Sequence, residues 1–189
     1  MNAKRKETGA WVNTGIFIQV WKAVAEAQVY SSHDWVVKVD ADAVFVPERL
    51  RDRIQWMPRT TSGVMLQNCE YVDYGFFGNL EVISTKAFGV LVDSLDTCYT
   101  EVDWKVGVKG GKYGPMGEDL FAEICMSKNG VHKVEAFDTT TDGACPAKRP
   151  KDQAKNKKWH SDCKVKTPAM HPFKKPKDWF ECFDQTMAL

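Results

Sequence analysis

The chain has 189 residues, a length that suits one α/β domain spanning 1–189 with a continuous core and leaves little room for a second. Its 43% apolar content and seven tryptophans exclude a wholly disordered chain, while 27% charged residues give a water-exposed surface. A formal net charge of +1 lacks the strongly basic balance of a nucleic-acid-binding domain, so no nucleic-acid partner is expected.

No run reaches the ~20 apolar residues of a membrane span, so no transmembrane segment is expected, and Met-Asn-Ala-Lys-Arg-Lys lacks the apolar core of a signal peptide. A chain complete as it stands is expected in the cytoplasm. The six cysteines, Cys69, Cys98, Cys125, Cys145, Cys163 and Cys182, form an even set that would suit disulfides in an oxidising compartment. Their spacing contains no paired CxxC zinc pattern. Cys125 falls on an apolar helical stripe, where a core thiol is expected, so disulfides and free thiols both stay open.

In chain order, Asn13 or Thr14 caps a helix whose apolar positions Ile16, Val20, Ala23, Val24 and Ala27 recur at helical spacing, ending near Tyr30. A turn at Ser31–Asp34 leads into Trp35-Val36-Val37-Lys38-Val39, β-branched enough for a buried strand, with Asp40 at its C-terminal end. Pro47 opens a helix carrying Leu50, Ile54 and Met57 on one face. Gly63–Leu66 reads as a short strand, followed by an aromatic and glycine-rich loop at 68–79, a strand at Leu80–Ile83 and a helix at about Ser84–Leu95. A loop at Lys109–Pro115 precedes a helix from Glu118 with stripe residues Phe121, Ile124 and Cys125, which Gly130 ends. Val131–Phe137 reads as a strand, and lysine-rich 142–167 as a flexible loop. Strands alternating with helices predict an α/β layer fold whose ligands gather beyond the strands' carboxyl ends, where Asp40 sits.

Four constellations carry chemistry. Asp40-Ala41-Asp42, two carboxylates around a small residue at the end of an apolar strand, can share one hard divalent cation such as Mn2+ or Mg2+. Glu118 and Asp119 open a helix, where they can simply favour the helix dipole or serve as general base for a sugar transfer with inversion. In His171-Pro172-Phe173-Lys174-Lys175-Pro176, His171 can complete the carboxylate site, and Lys174 and Lys175 can hold phosphate. In the 68–79 loop, Phe77 and Gly78 offer a ring and a close backbone approach to a sugar and Asn79 a hydrogen bond, while one of Phe76 and Phe77 is expected in the core. Trp159 and His160, in the basic stretch Lys148–Lys166, can contact an acceptor, although a solvated charged loop is the plainer account of that stretch.

Together, Asp40-Ala41-Asp42, Gly117-Glu118-Asp119 and the late His171 resemble, in that order, the metal-dependent GT-A glycosyltransferases, and Gly-Glu-Asp is similar to the acidic motif of their fringe and β-1,3-galactosyltransferase-like group. The resemblance spans about residues 14–180. It implies a GT-A-like, Rossmann-like fold with a mixed central sheet flanked by helices. It also implies a nucleoside-diphosphate sugar donor, such as a UDP-sugar, and a glycan, protein or small-molecule hydroxyl acceptor. Asp40, Asp42 and His171 would hold the metal, Asp119 would act as base, and Lys175 would meet phosphate as in the histidine-lysine-proline ending of some retaining members. GT-A domains place a base-gripping strand and loop before the DxD strand, where this sequence has one helix. That reads as N-terminal truncation, as a different hold on the base, or as lost activity; a missing N-terminal anchor would place the protein in the Golgi or secretory lumen. Two other readings stay open: a haloacid-dehalogenase-like phosphatase with Asp40 as nucleophile and Asp42 as acid, and a non-catalytic domain that binds a glycan or partner.

Overall fold

A computed structural model describes residues 12–58, 60–105, 115–145 and 163–189. Most of the 109–115 loop, and Trp159 and His160 with most of the lysine-rich stretch, lie outside the described residues. The architecture is mixed α/β. The helices are α1 (Thr14–Ala27), α2 (Pro47–Ile54), α3 (Thr85–Glu101), α4 (Glu118–Lys128) and α5 (Pro176–Met187). The strands are β1 (Trp35–Val39), β2 (Val44–Phe45), β3 (Val64–Gln67), β4 (Leu80–Ser84), β5 (His132–Glu135), β6 (Thr140–Thr141) and β7 (Ala169–Met170). One sheet has the order β1-β4-β3-β5, the other β2-β7-β6. No described helix is long and apolar enough to cross a membrane.

The described residues form two compact units. In the first, α1, α3 and α4 pack on one another. Trp21 of α1 stacks on Phe121 of α4 at 6.3 Å, and Thr14 Oγ1 donates to Met116 O at 2.7 Å. The α1 helix stops at Ala27, the last of its periodic positions and short of the end expected near Tyr30, because Gln28 turns left-handed (φ 59°) and Val29–Ser32 tightens into a 3-10 turn. The α3 helix runs past Leu95 to Glu101, since the buried stripe of Phe88, Leu91 and Leu95 continues to Cys98. Its start is set by Ser84, whose hydroxyl accepts from Ala87 N at 3.2 Å. Gly130 (φ 78°) follows the end of α4, as its sequence position implies.

The cysteines correct the expectation for Cys125. It is buried on the stripe, as its position predicts, yet it pairs with Cys98 (Cα–Cα 5.8 Å); an oxidised pair meets the same apolar surroundings as two thiols, so the stripe could not tell them apart. In the second unit Cys69 pairs with Cys145 and Cys163 with Cys182, so no cysteine is free. The Cys69–Cys145 bridge spans 76 positions, and closing a loop of that size restrains the unfolded chain by roughly 4–5 kcal/mol in the chain-entropy account.

The second unit contains β2, β6, β7, α2 and α5, around a small core of Val44, Met170 and Cys182 flanked by Val165, Phe173, Trp179 and Phe183. Arg49 of α2 reaches Thr186 Oγ1 and Val165 O, both at 3.1 Å, tying α2 to α5 and to the chain entering β7. The strands β2, β6 and β7 have two residues each, too few for any alternation to show in sequence.

Gly63 of the first unit adopts φ 84°, and a Cβ there would stand 2.3 Å from Ala87 N. Gly63→Ala therefore combines backbone strain with a main-chain clash and is expected to lower unfolding stability by about 1–3 kcal/mol. Urea denaturation measures this; an unchanged midpoint at equal slope would show that β3 and α3 can move apart at no cost.

Candidate metal centre

The centre lies within the second unit. The β1 strand delivers Asp40 to its end, where Asp40 N donates to Asn79 O at 3.2 Å. A tight turn follows, closed by Ala43 N donating to Asp40 O at 3.0 Å. The turn spans Asp40-Ala41-Asp42-Ala43, so the two carboxylates flank its small residue. Pairing between β2 and β7 is antiparallel, with Val44 opposite Met170 and Phe45 opposite Ala169. The same pairing continues as Phe173 N donates to Asp42 O at 2.8 Å. On the other side β7 pairs in parallel with β6, Thr141 opposite Met170, and His171 N donates to Thr141 O at 3.0 Å.

These registers bring His171, about 130 positions away in sequence, to the acidic turn. His171 Nε2 lies 3.3 Å from Asp42 Oδ1 and 3.7 Å from Asp40 Oδ2. One ligand atom from each of Asp40, Asp42 and His171 falls within 4.8 Å of the others. Ligands ~2.1 Å from one ion stand roughly 3–4 Å apart, so this donor set fits a single divalent cation with small side-chain adjustments. Two carboxylates and an imidazole form a donor set for a hard or borderline divalent cation and do not select a particular metal.

The remaining oxygens are held by lysines. Asp40 Oδ1 pairs with Lys38 Nζ at 2.7 Å, and the same ammonium lies 3.4 Å from Glu81 Oε1 and donates to Gly78 O. Asp42 Oδ2 pairs with Lys174, whose side chain is 76% exposed. Each carboxylate thus gives one oxygen to a lysine and turns the other toward His171. Burial opposes ionisation of Asp42, but the hydrogen bond from Lys174 and the charges of His171 and Lys174 outweigh it and hold its pKa below the usual carboxylate value.

The other sequence-predicted residues fall as follows. Lys175 is the N-cap of α5. Phe76 fills the core and Phe77 is half-buried. Asn68, buried, accepts from Phe77 N at 2.7 Å and donates to Leu80 O at 2.6 Å, so it shapes the loop carrying Phe77 and Gly78. Asn79 is buried, and its Nδ2 donates to Thr140 Oγ1 at 2.7 Å. Glu118 and Asp119 belong to the first unit, in the first turn of α4; Glu118 is buried and Asp119 Oδ1 accepts from Leu120 N at 2.8 Å.

Sequence reasoning missed Asp142 and Lys38. Asp142, assigned to the flexible loop, is 8% exposed, with Oδ2 at 2.5 Å from His171 Nδ1. It directly follows β6, a two-residue strand too short to recognise in sequence. Lys38 was visible in the strand but carried no signal beyond an interrupted apolar run.

Beside Asp42 the surface opens into a groove of about 540 Å3 lined by Ala41, Asp42, Phe173, Lys174, Pro176, Trp179 and Phe180. Trp179 is fixed there by Nε1 donating to Ala43 O at 2.9 Å and by stacking on Phe183 at 5.5 Å. No protein-family model matches the chain, and no curated protein matches it.

Removing the Lys174 ammonium takes away the largest cause favouring ionised Asp42. Lys174→Met is therefore expected to raise the Asp42 pKa toward the ordinary carboxylate value, followed by carboxyl-carbon NMR titration. A pKa that stays put would mean that the ion pair does not persist in solution.

Proposed function

We propose that this chain is a GT-A-like glycosyltransferase domain that binds a divalent cation, Mn2+ or Mg2+, together with the diphosphate of a nucleoside-diphosphate sugar, and transfers the sugar to a hydroxyl acceptor with inversion. The observation that carries this reading is the convergence of Asp40, Asp42 and His171 on one potential ion position. When bound, such a cation neutralises diphosphate oxygens and the charge that develops on the leaving nucleotide.

The chain's own residues supply the rest. Lys174, at the acidic turn, and Lys175, the N-cap of α5, offer compact cations for phosphate, with Lys174 exchanging its bond to Asp42 for one to a phosphate oxygen. The groove favours a sugar over a bare phosphoester, because the apolar face of a pyranose stacks on rings such as Trp179 and Phe180 while its hydroxyls meet the charged edge formed by Asp42 and Lys174. The resemblance to the fringe-like group assigns Asp119 as the base that takes the acceptor's proton. The three disulfides support residence in an oxidising compartment such as the secretory lumen.

Thermal denaturation with Mn2+ and UDP tests the binding step. At a hundredfold excess over Kd, a ligand adds about 2.7 kcal/mol, or roughly 5–10 °C in Tm for a chain of this size. Asp42→Ala is expected to abolish the shift; an equal shift in the variant would remove the metal-diphosphate site from Asp42. A protein that binds Mn2+ and UDP but releases no sugar from any UDP-sugar would be a binding domain instead.

The base is tested separately. Asp119→Asn is expected to cut transfer by about 10²–10⁴-fold while leaving the Mn2+ and UDP shift intact. Unchanged turnover would exclude Asp119 as base.

A further inference from the structure

His171 presents two ring nitrogens to two different acidic surroundings. Nε2 faces Asp40 and Asp42, and Nδ1 lies 2.5 Å from Asp142 Oδ2. Resting on the metal-centre reading, we propose that Asp142 is the positioning residue of this centre: its carboxylate accepts Nδ1–H of His171, selects that tautomer and so aims the Nε2 lone pair at a cation shared with Asp40 and Asp42.

A neutral imidazole carries one ring proton, and the nitrogen without it is the one that can ligate a metal. A carboxylate on Nδ1 settles where the proton stays, orients the ring and raises the basicity of Nε2. Asp142 is built to hold still for this. Its Oδ1 accepts from Ala144 N at 2.6 Å, so both oxygens are engaged. Its backbone exchanges two bonds with Cys145, Asp142 N to Cys145 O at 3.0 Å and Cys145 N to Asp142 O at 3.1 Å. Cys145 is in turn bridged to Cys69. The histidine is fixed from its own side by the backbone bond from His171 N to Thr141 O.

Asp142 is not a fourth ligand. It sits against the opposite nitrogen of the ring from Asp40 and Asp42, and an ion at Nε2 lies beyond its reach. Its burial serves the orientation of His171 instead, which also accounts for a charged side chain at 8% exposure beside a surface site.

The test is Mn2+ binding to the full chain, followed by the paramagnetic resonance of free Mn2+, in wild type, Asp142→Asn, Asp142→Ala and His171→Ala. Asn keeps the size of Asp and an acceptor for Ala144 N, so the turn should survive in that variant. Asp142→Asn is expected to weaken Mn2+ binding about ten- to hundredfold with an unchanged circular dichroism spectrum, approaching the loss in His171→Ala. Affinity within twofold of wild type in a folded Asp142→Asn, with His171→Ala impaired, overturns the proposal and leaves the metal centre standing. No Mn2+ binding by wild type overturns the metal centre, and the proposal with it. If both Asp142 variants misfold, ring ¹⁵N shifts of His171 in Zn2+-loaded wild type decide: a proton on Nδ1 is expected, and a proton on Nε2 with the metal on Nδ1 refutes it.

Discussion

The three-stranded sheet sets Met170 between Val44 and Thr141, and the meeting of His171 with Asp42 in the candidate metal centre descends from that register. From Met170 the chain takes one step to His171, while its neighbours on either side lead to Asp42 and Asp142. The bonds that hold these three segments together are backbone bonds: Phe173 N to Asp42 O on one side, His171 N to Thr141 O on the other. A shift of one residue in β7 would turn His171 to the opposite face and dismantle the cluster, because side chains alternate along a strand. The small core of Val44, Met170 and Cys182 lies under the same strands and resists that slip.

Charge is the second constraint. Two carboxylates two residues apart repel each other, and the fold answers with a lysine for each: Lys38, mostly buried, on Asp40 and Lys174, mostly exposed, on Asp42. The difference in exposure separates their roles. Lys38 is also bound by Gly78 O and faces Glu81, so moving it would leave buried acidic and carbonyl oxygens without their cation. Lys174 forfeits little by leaving, since an exposed ion pair contributes at most about 1 kcal/mol. The acidic turn thus has one fixed and one releasable counter-charge.

Much of this was legible in sequence. The apolar strand ending in Asp40-Ala41-Asp42, the Pro47 helix, the stripe after Glu118 and the stop at Gly130 all follow from propensity and periodicity, which depend on neighbours in the chain. His171 could be suspected only from its company of lysines and prolines. Asp142 could not be suspected at all. It stands at the edge of a lysine-rich stretch with no periodicity, and the two-residue strand before it leaves no alternation to detect.

The cysteines divide the same way. Their even number made pairing possible, and the stripe placed Cys125 inside, but which sulfur meets which depends on how α3 and α4 pack and how the turn at 142–145 returns to Cys69. The sequence by itself determined helices α1 to α4, the longer strands and the acidic turn, because those rest on local hydrogen bonding and the burial of nearby apolar side chains, while α5 went unread. Only the tertiary structure decided that His171 completes the turn, that Lys38 and Lys174 balance it and that Asp142 stands behind the imidazole. The meetings of His171, Lys174 and Asp142 with the turn are made by backbone pairing among residues 42–45, 140–141 and 169–173, and a backbone hydrogen bond is indifferent to the side chain beside it.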